Sequence, residues 1–180
     1  MKIKYIFDPI HKYIEFEPIL IKIIDTPEFQ RLRLIKQLGV CYYVFSGASH
    51  NRYEHSLGVS YLSGELITRL KNNQPELNIT DRMVTLVKIA GLIHDIGHAC
   101  YSHFFDHSFL KDKTNTPNID HEYRSGLLLE HIINKYSMDI SDEECIFIKK
   151  LINPSEDDTG FIFQIVSNKT SGLDCDKFDY

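Results

Sequence analysis

Apolar and polar residues recur along this chain with two different periods, and the change of period divides it. Residues 2–7 and 12–16 alternate Lys and other polar residues with Ile, Tyr and Phe, the two-residue period of short, half-buried strands. The turn-prone Asp8-Pro9-Ile10-His11 between them predicts a small hairpin, and Tyr42 to Phe45 forms a further strand candidate. Most of the rest follows the helical period. Thr26 caps a predicted helix with Pro27 at its first position, running through Phe29, Leu32, Leu34, Ile35 and Leu38 until Gly39 stops it. Arg31, Arg33 and Lys36 give that helix a cationic face.

A second helix is expected to start near His50 or Asn51 and to carry His55, Leu57, Val59, Leu62, Leu66 and Ile67 toward Leu70. A third begins at Thr80 with Asp81 in its first turn, aligns Met83, Leu86, Val87, Ala90 and Ile93 on one face, and ends near Gly97. Residues 111–119 read as a polar loop. Beyond it a helix starts near His121 and continues through Leu127, Leu128, Leu129, Ile132 and Ile133. Ser141 and Glu144 make a capping box for another helix reaching about Ile152, residues 154–159 read as a surface connection, and the last residues are helical again. The expected fold class is mainly α, with small β-hairpins near the N-terminus.

With 180 residues, 43% of them hydrophobic, the chain suits one globular domain over residues 1–180. A formal charge of -5 supplies no overall attraction for polyanions, so phosphate groups must be held by local cations or a metal, and nucleic-acid binding is not indicated. Cys41, Cys100, Cys145 and Cys175 are widely separated and form no C-x-x-C pair, which argues for reduced thiols in an intracellular protein and against a zinc finger. No apolar run reaches the length of a signal peptide core or a membrane span, so a soluble protein without a membrane partner is expected.

Chemistry concentrates in Ile89-Ala90-Gly91-Leu92-Ile93-His94-Asp95-Ile96-Gly97-His98, where an apolar helix delivers an imidazole and a carboxylate side by side. Imidazole nitrogen and carboxylate oxygen together suit a divalent cation such as manganese, iron or zinc. Adjacent helical residues are separated by about 100° around the axis, so both can reach one ion only near a helix end or irregularity, which Gly97 would help supply. Further ligands must come from elsewhere. His55 and Asp176 are candidates, but spacing alone does not single them out among nine histidines and 25 acidic residues.

Several segments together resemble one family. They are Asp8-Pro9-Ile10-His11, Asp25-Thr26-Pro27-Glu28-Phe29-Gln30-Arg31-Leu32-Arg33, Lys36-Gln37-Leu38-Gly39, Ser49-His50-Asn51-Arg52-Tyr53-Glu54-His55-Ser56-Leu57-Gly58-Val59, His94-Asp95-Ile96-Gly97-His98 and Asp174-Cys175-Asp176-Lys177. In this order, from Lys4 to Tyr180, they resemble the HD-domain deoxynucleoside triphosphate triphosphohydrolases, and most closely the eukaryotic SAM-and-HD-domain type. The resemblance implies a helical, metal-dependent phosphohydrolase core with His55, His94, Asp95 and Asp176 as metal ligands. It implies hydrolysis of a dNTP to deoxynucleoside and inorganic triphosphate, with attack at the α-phosphorus. His98, His103 and His121 then line the phosphate side, His121 being catalytic and His103 a proton donor to the departing 5′ oxygen, and Asp106 could orient one of them. Gln37, Leu38, Arg52, Lys177 and Tyr180 match residues that contact sugar or phosphates.

The resemblance extends to control. Lys4, Tyr5, Asp25, Gln30 and Arg33 match a site for a GTP or dGTP activator that assembles a homo-oligomer, and Val44 matches a second activator site, where Phe7 replaces an asparagine. The family's SAM domain and C-terminal lobe are not matched, and Asp176, close to Tyr180, is expected to be the least firmly held ligand. Two other functions are therefore also carried: a weakly active or inactive nucleotide-binding module that associates with a longer paralogue, and an HD phosphohydrolase acting on nucleoside monophosphates or cyclic nucleotides. His11, His50, His107 and His131 are read as structural or exposed, Lys36 as solvated, Tyr42, Tyr43 and Phe45 as hairpin packing, and Cys175 as a packing residue.

Overall fold

The alternating N-terminal segment forms an antiparallel hairpin of β1 (Lys4–Asp8) and β2 (Lys12–Phe16), with Lys4 opposite Phe16 and Asp8 opposite Lys12. A computed structural model describes residues 2–110 and 120–180. The hairpin turn closes because Asp8 Oδ1 accepts from the backbone N–H groups of both Ile10 and His11, each at 2.8 Å. Ile14 and Phe16 are buried, while Tyr13 on the alternate face is exposed.

The next helix, α1 (Pro18–Ile24), was not visible as a pattern. Leu20, Ile21, Ile23 and Ile24 are all buried, so most of its circumference faces protein and no amphipathic stripe remains to be read. The helix expected from Pro27 to Leu38 is only partly formed. Thr26 does cap α2 (Pro27–Gln30), its hydroxyl accepting from Phe29 N–H at 3.2 Å, but a 3-10 turn over Arg31–Leu34 follows and Ile35 is extended. Gln37 N–H donates to His50 O at 3.1 Å and Arg52 N–H to Ile35 O at 2.9 Å. These bonds to a distant segment replace the helical ones. Tyr42 to Phe45 is likewise not a strand: Cys41–Tyr43 form a 3-10 turn, and among the described residues the sheet consists of β1 and β2.

The remaining helices follow their caps. Asn51 and Glu54 form a capping box for α3 (Arg52–Asn73), and Thr80 caps α4 (Asp81–Ile93) by accepting from Met83 N–H at 3.1 Å. Asp120 caps α5 (His121–Tyr136), the Ser141/Glu144 box starts α6 (Asp142–Ile152), and Asp174 caps α7 (Cys175–Asp179). The expected loop at residues 111–119 lies outside the described residues. Helices α3 and α4 pack most extensively on each other, α6 lies on α4, and α7 lies on α3. Leu57, Val59 and Ile67 join Val87, Ile89, Ala90 and Ile93, with Ile148 and Leu151, in one buried cluster. Each fully buried aliphatic side chain of this kind contributes on the order of 1.5–3 kcal/mol, so the α3–α4 pair is a rigid base for what its ends carry. No helix among the described residues is long and apolar enough to cross a membrane.

Glu28 ties α2 to α5. Its carboxylate accepts from Lys135 Nζ at 2.7 Å and Tyr136 Oη at 2.9 Å and lies 3.2 Å from His131 Nε2. Burial favours the neutral acid, but the Lys135 and Tyr136 bonds outweigh it and hold the pKa down to about 2. A carboxyl depressed in the folded state adds stability that is present above its unfolded pKa of about 4.5 and is lost as pH falls through about 2. Glu28→Gln is therefore expected to melt at a lower temperature than wild type near neutral pH. The gap should close between pH 4.5 and 2, which thermal melts across that range will check.

Candidate active site

His94 and Asp95 reach a common point because the helix stops at them. α4 ends at Ile93, with His94 as its C-cap, and the chain tightens into turns in which Ile96 N–H donates to Ile93 O at 3.0 Å and His98 N–H to Asp95 O at 3.1 Å. His94 Nε2 then lies 3.5 Å from Asp95 Oδ2. His55, one turn into α3, places its Nε2 3.6 Å from the same oxygen. Asp176, on the first turn of α7, sets Oδ1 2.9 Å from His55 Nε2 and 3.5 Å from His94 Nε2. Donors around an ion bound at about 2.1 Å are separated by roughly 3.0–3.4 Å. The donor atoms of His55, His94 and Asp176 gather closely enough to hold one cation, and Asp95 Oδ2 stands just beyond that spacing from the two imidazole nitrogens.

Tautomers support the fit. His94 Nδ1 lies 2.8 Å from Gly91 O; a carbonyl only accepts, so Nδ1 carries the proton and Nε2 offers its lone pair. That Nε2 is buried with no hydrogen-bond partner among the described residues. Burial disfavours charge on His55, yet Asp176 and Asp179 prevail and lift its pKa to about 9. Burial also works against the charged forms of Asp95 and Asp176, but His94 beside the first and His55 beside the second hold both carboxyls below the usual range. The pocket therefore favours positive charge at the meeting point of the four side chains. Asp176 is not loosely held: Asp174 accepts from Lys177 N–H at 3.0 Å, Cys175 N–H donates to Ile165 O at 2.9 Å, and Cys175 packs in the core.

The turn that follows α4 is secured from three directions. Ser125 Oγ donates to His94 O at 2.7 Å and accepts from Gly97 N–H at 2.9 Å, and Arg124 Nε donates to Gly97 O at 2.8 Å. Arg31 donates to the carbonyls of His98, at 2.7 Å, and Ile96. Arg31 is thus a turn-binding residue, not part of a solvated face. Gly97 has ordinary backbone angles, so its role is close approach: a Cβ there would stand 2.2 Å from His121 O and 2.5 Å from Ser125 N.

This approach brings α5 against the turn and gathers the three expected histidines. The rings of His98 and His121 stack at 3.9 Å, and His103 meets them edge-on at 4.9 and 5.3 Å. Burial lowers the pKa of His98 to about 4; burial, aided by His98, lowers that of His121 to about 3. Both are neutral near pH 7. Asp106 Oδ2 stands 3.7 Å from His121 Nδ1 and 4.0 Å from His98 Nδ1, but its hydrogen bond is with Arg124, 2.6 Å from Oδ1. Glu122, which the sequence did not single out, is nearer to His121 Nδ1, at 3.2 Å.

Arg52 is buried against Asp95 Oδ2, with Nε donating to Ser102 Oγ at 2.9 Å and Nη2 left without a partner among the described residues. It lines a cavity of about 350 Å3 with Gln37, His94, Asp95, His103, His121, Asp176, Lys177 and Tyr180. A second, apolar hollow of about 520 Å3 adjoins it, walled by Leu38, Val40, Tyr101 and Phe104. Gln37, His103 and Tyr180 line both. All five expected sugar- or phosphate-contacting residues therefore face one composite pocket.

The expected activator residues lie elsewhere, on the surface. Lys4 Nζ pairs with Asp25 Oδ2 at 2.8 Å, Gln30 donates to Ile24 O at 2.7 Å, and Arg33 Nε donates to Gln30 Oε1 at 2.8 Å. The Arg33 guanidinium covers the Tyr53 ring at 3.5 Å. Tyr5 instead donates to Glu15 at 2.8 Å, and Val44 is exposed on the separate 41–45 segment.

Two further residues belong to the surroundings of the candidate metal site and were missed: Asp179, and His11, read above as structural or exposed. Asp179 Oδ2 is 2.8 Å from His55 Nδ1, and Oδ1 is 2.7 Å from His11 Nε2. The three-residue spacing of Asp176 and Asp179, which puts both carboxylates on one face of a short helix, was a signal available in the sequence.

Residues 52–152 match the model of the HD domain family. The chain belongs to that family. HD domains bind divalent metals, and the matched region holds His55 on α3 and His94 and Asp95 at the C-terminal end of α4. The chain is 47% identical to the deoxynucleoside triphosphate triphosphohydrolase SAMHD1 of Bos taurus over 98% of its own length and 34% of that protein. It is 48% identical to the human protein of the same name, over 98% of this chain and 32% of the relative. For the SAMHD1 homolog of Dictyostelium discoideum the figures are 44%, 98% and 35%. This HD chain thus spans about a third of the length of the curated relatives it matches.

Proposed function

We propose that this HD chain is a metal-dependent dNTP triphosphohydrolase, in which residues 1–180 act as one HD domain. The observation that carries the reading is the junction of the two hollows: a cation-seeking cluster of His and Asp opens into an apolar pocket through Gln37, His103 and Tyr180. A molecule with a polyanionic end and a planar, less polar end matches that division. The relatives' names, which specify dNTP hydrolysis, support the same substrate class.

His55, His94, Asp95 and Asp176 would hold the divalent ion, which would supply Lewis acidity at the phosphate to be attacked. Arg52, through its unpaired Nη2, and Lys177 neutralise phosphate oxygens. His121 and His98, neutral near pH 7, take up or relay the proton of the attacking water, with Glu122 and Asp106 beside His121. Water oxygen bonds to the α-phosphorus, the bond to the 5′ oxygen breaks, and His103 delivers a proton to that oxygen. The products are a deoxynucleoside and inorganic triphosphate. Gln37, Leu38 and Tyr180 hold the nucleoside. On the surface, Lys4, Tyr5, Asp25, Gln30 and Arg33, with Val44 as a second contact, form a GTP or dGTP activator site that promotes homo-oligomerisation; the existing Lys4–Asp25 and Gln30–Arg33 pairs support it.

The test is incubation of manganese-loaded protein with each dNTP, with and without GTP, while triphosphate, pyrophosphate and phosphate are resolved. Stoichiometric triphosphate that disappears in His121→Ala is the expected outcome. Nucleotide binding without turnover, or turnover of monophosphates alone, would replace this reading.

A further inference from the structure

One buried carboxylate bridges two imidazoles at the back of the metal cluster. Asp179 reaches His55 Nδ1 at 2.8 Å with Oδ2 and His11 Nε2 at 2.7 Å with Oδ1, and the side chains of Asp179 and His11 are 6% and 13% exposed. Because a carboxylate accepts only, both rings must donate to it. His55 thereby commits its Nδ1 proton to Asp179 and directs Nε2 toward Asp95 and Asp176. His94 is fixed in the same sense by the Gly91 carbonyl, but a charged acceptor also makes the imidazole a stronger electron donor.

Two features make room for this arrangement. At position 58, one turn after His55, a Cβ would stand 1.9 Å from Asp179 Oδ1 and 2.5 Å from its Cγ, so the carboxylate fits because residue 58 is glycine. On the other side, the β1–β2 turn presents His11, whose backbone N–H is held by Asp8 and whose ring lies 5.0 Å from that of Tyr61 on α3. Three segments far apart in sequence are joined by the chain His11–Asp179–His55.

We propose that Asp179 is a positioning residue for the metal ligand His55, anchored in turn by His11, so that the cation affinity of the centre depends on the docking of the N-terminal hairpin against α7. This rests on the reading of His55, His94, Asp95 and Asp176 as metal ligands. Removal of such a hydrogen-bonded partner costs about 10- to 100-fold in metal affinity.

Cobalt(II) binding, followed by visible absorption and by competition with a chelator, tests the proposal on the full chain. Asp179→Asn, which keeps the shape and removes the charge, should weaken cobalt about 10- to 100-fold and shift the absorption bands. Gly58→Ala should act in the same direction although alanine is the better helix former. His11→Ala should lower affinity in the wild-type background and have little further effect in Asp179→Asn, the non-additivity expected of residues acting in series. His11→Gln, which retains an N–H donor, should restore most of the loss. Wild-type affinity in both Asp179→Asn and His11→Ala, with binding still abolished by His94→Ala, would overturn the positioning role and leave the metal reading intact. Failure of the wild-type chain to bind cobalt through His94 would overturn both. If Asp179→Asn does not fold, His11→Ala decides alone: weakened binding supports the proposal and unchanged binding refutes it.

Discussion

Asp95→Ala is expected to abolish metal binding and triphosphate release together and to destabilise the fold, the largest effect of any single substitution at this site. Asp95 serves two roles through one oxygen: Oδ2 faces His55 and His94 at 3.6 and 3.5 Å and is bonded to Arg52. Arg52 is 2% exposed, so loss of its counter-charge leaves a buried guanidinium uncompensated, at a cost of about 3–5 kcal/mol. The two roles can be separated. In Arg52→Met/Asp95→Leu the ion pair gives way to apolar side chains, and stability should recover by most of that amount while metal content and turnover stay absent. Urea unfolding, elemental analysis and triphosphate release give the three readouts. A double variant that regained metal would show that Asp95 is not a ligand.

Gly97→Ala is expected to lower kcat/KM for dNTP hydrolysis by about 100-fold, the order associated with displacing a reacting group by 1 Å. The added methyl would meet His121 O at 2.2 Å and Ser125 N at 2.5 Å, both backbone atoms that cannot rotate away. The N-terminus of α5 must therefore retreat from the turn after α4, carrying His121 away from His98 and from the metal cluster. Overpacking of this kind also costs about 1–3 kcal/mol of stability. Metal affinity should fall much less than turnover, because His55, His94, Asp95 and Asp176 belong to other elements. Steady-state kinetics beside cobalt titration will check the split; unchanged kcat/KM would mean that the α5 approach does not set the position of His121.

Much of the fold was legible because its signals are local. The caps at Thr26, Asn51, Thr80 and Ser141 act within three residues of themselves, and each starts a helix where expected. The hairpin followed from alternation and a turn closed by Asp8. Failures came where distant segments compete for the backbone. Residues 35–37 bond to residues 50–52 and leave the helical ladder, Tyr42 to Phe45 finds no strand to pair with among the described residues, and α1 is buried on too many sides to show a period.

The candidate site divides along the same line. By itself the sequence determined that a histidine and an aspartate stand at the end of an apolar helix, since capping and periodicity place that end within a few residues, and its motifs carried the HD resemblance. Only the tertiary structure decided that His55 and Asp176, 121 residues apart, meet with their donor atoms 2.9 Å apart. It also assigned Arg31 to the carbonyls of the turn, gave Gly97 a packing role, and drew His11 and Asp179 together behind His55. A ligand set is a statement about distances, and those distances arise from helices packing across the core, where contact between segments remote in sequence, and not local pattern, determines which side chains converge.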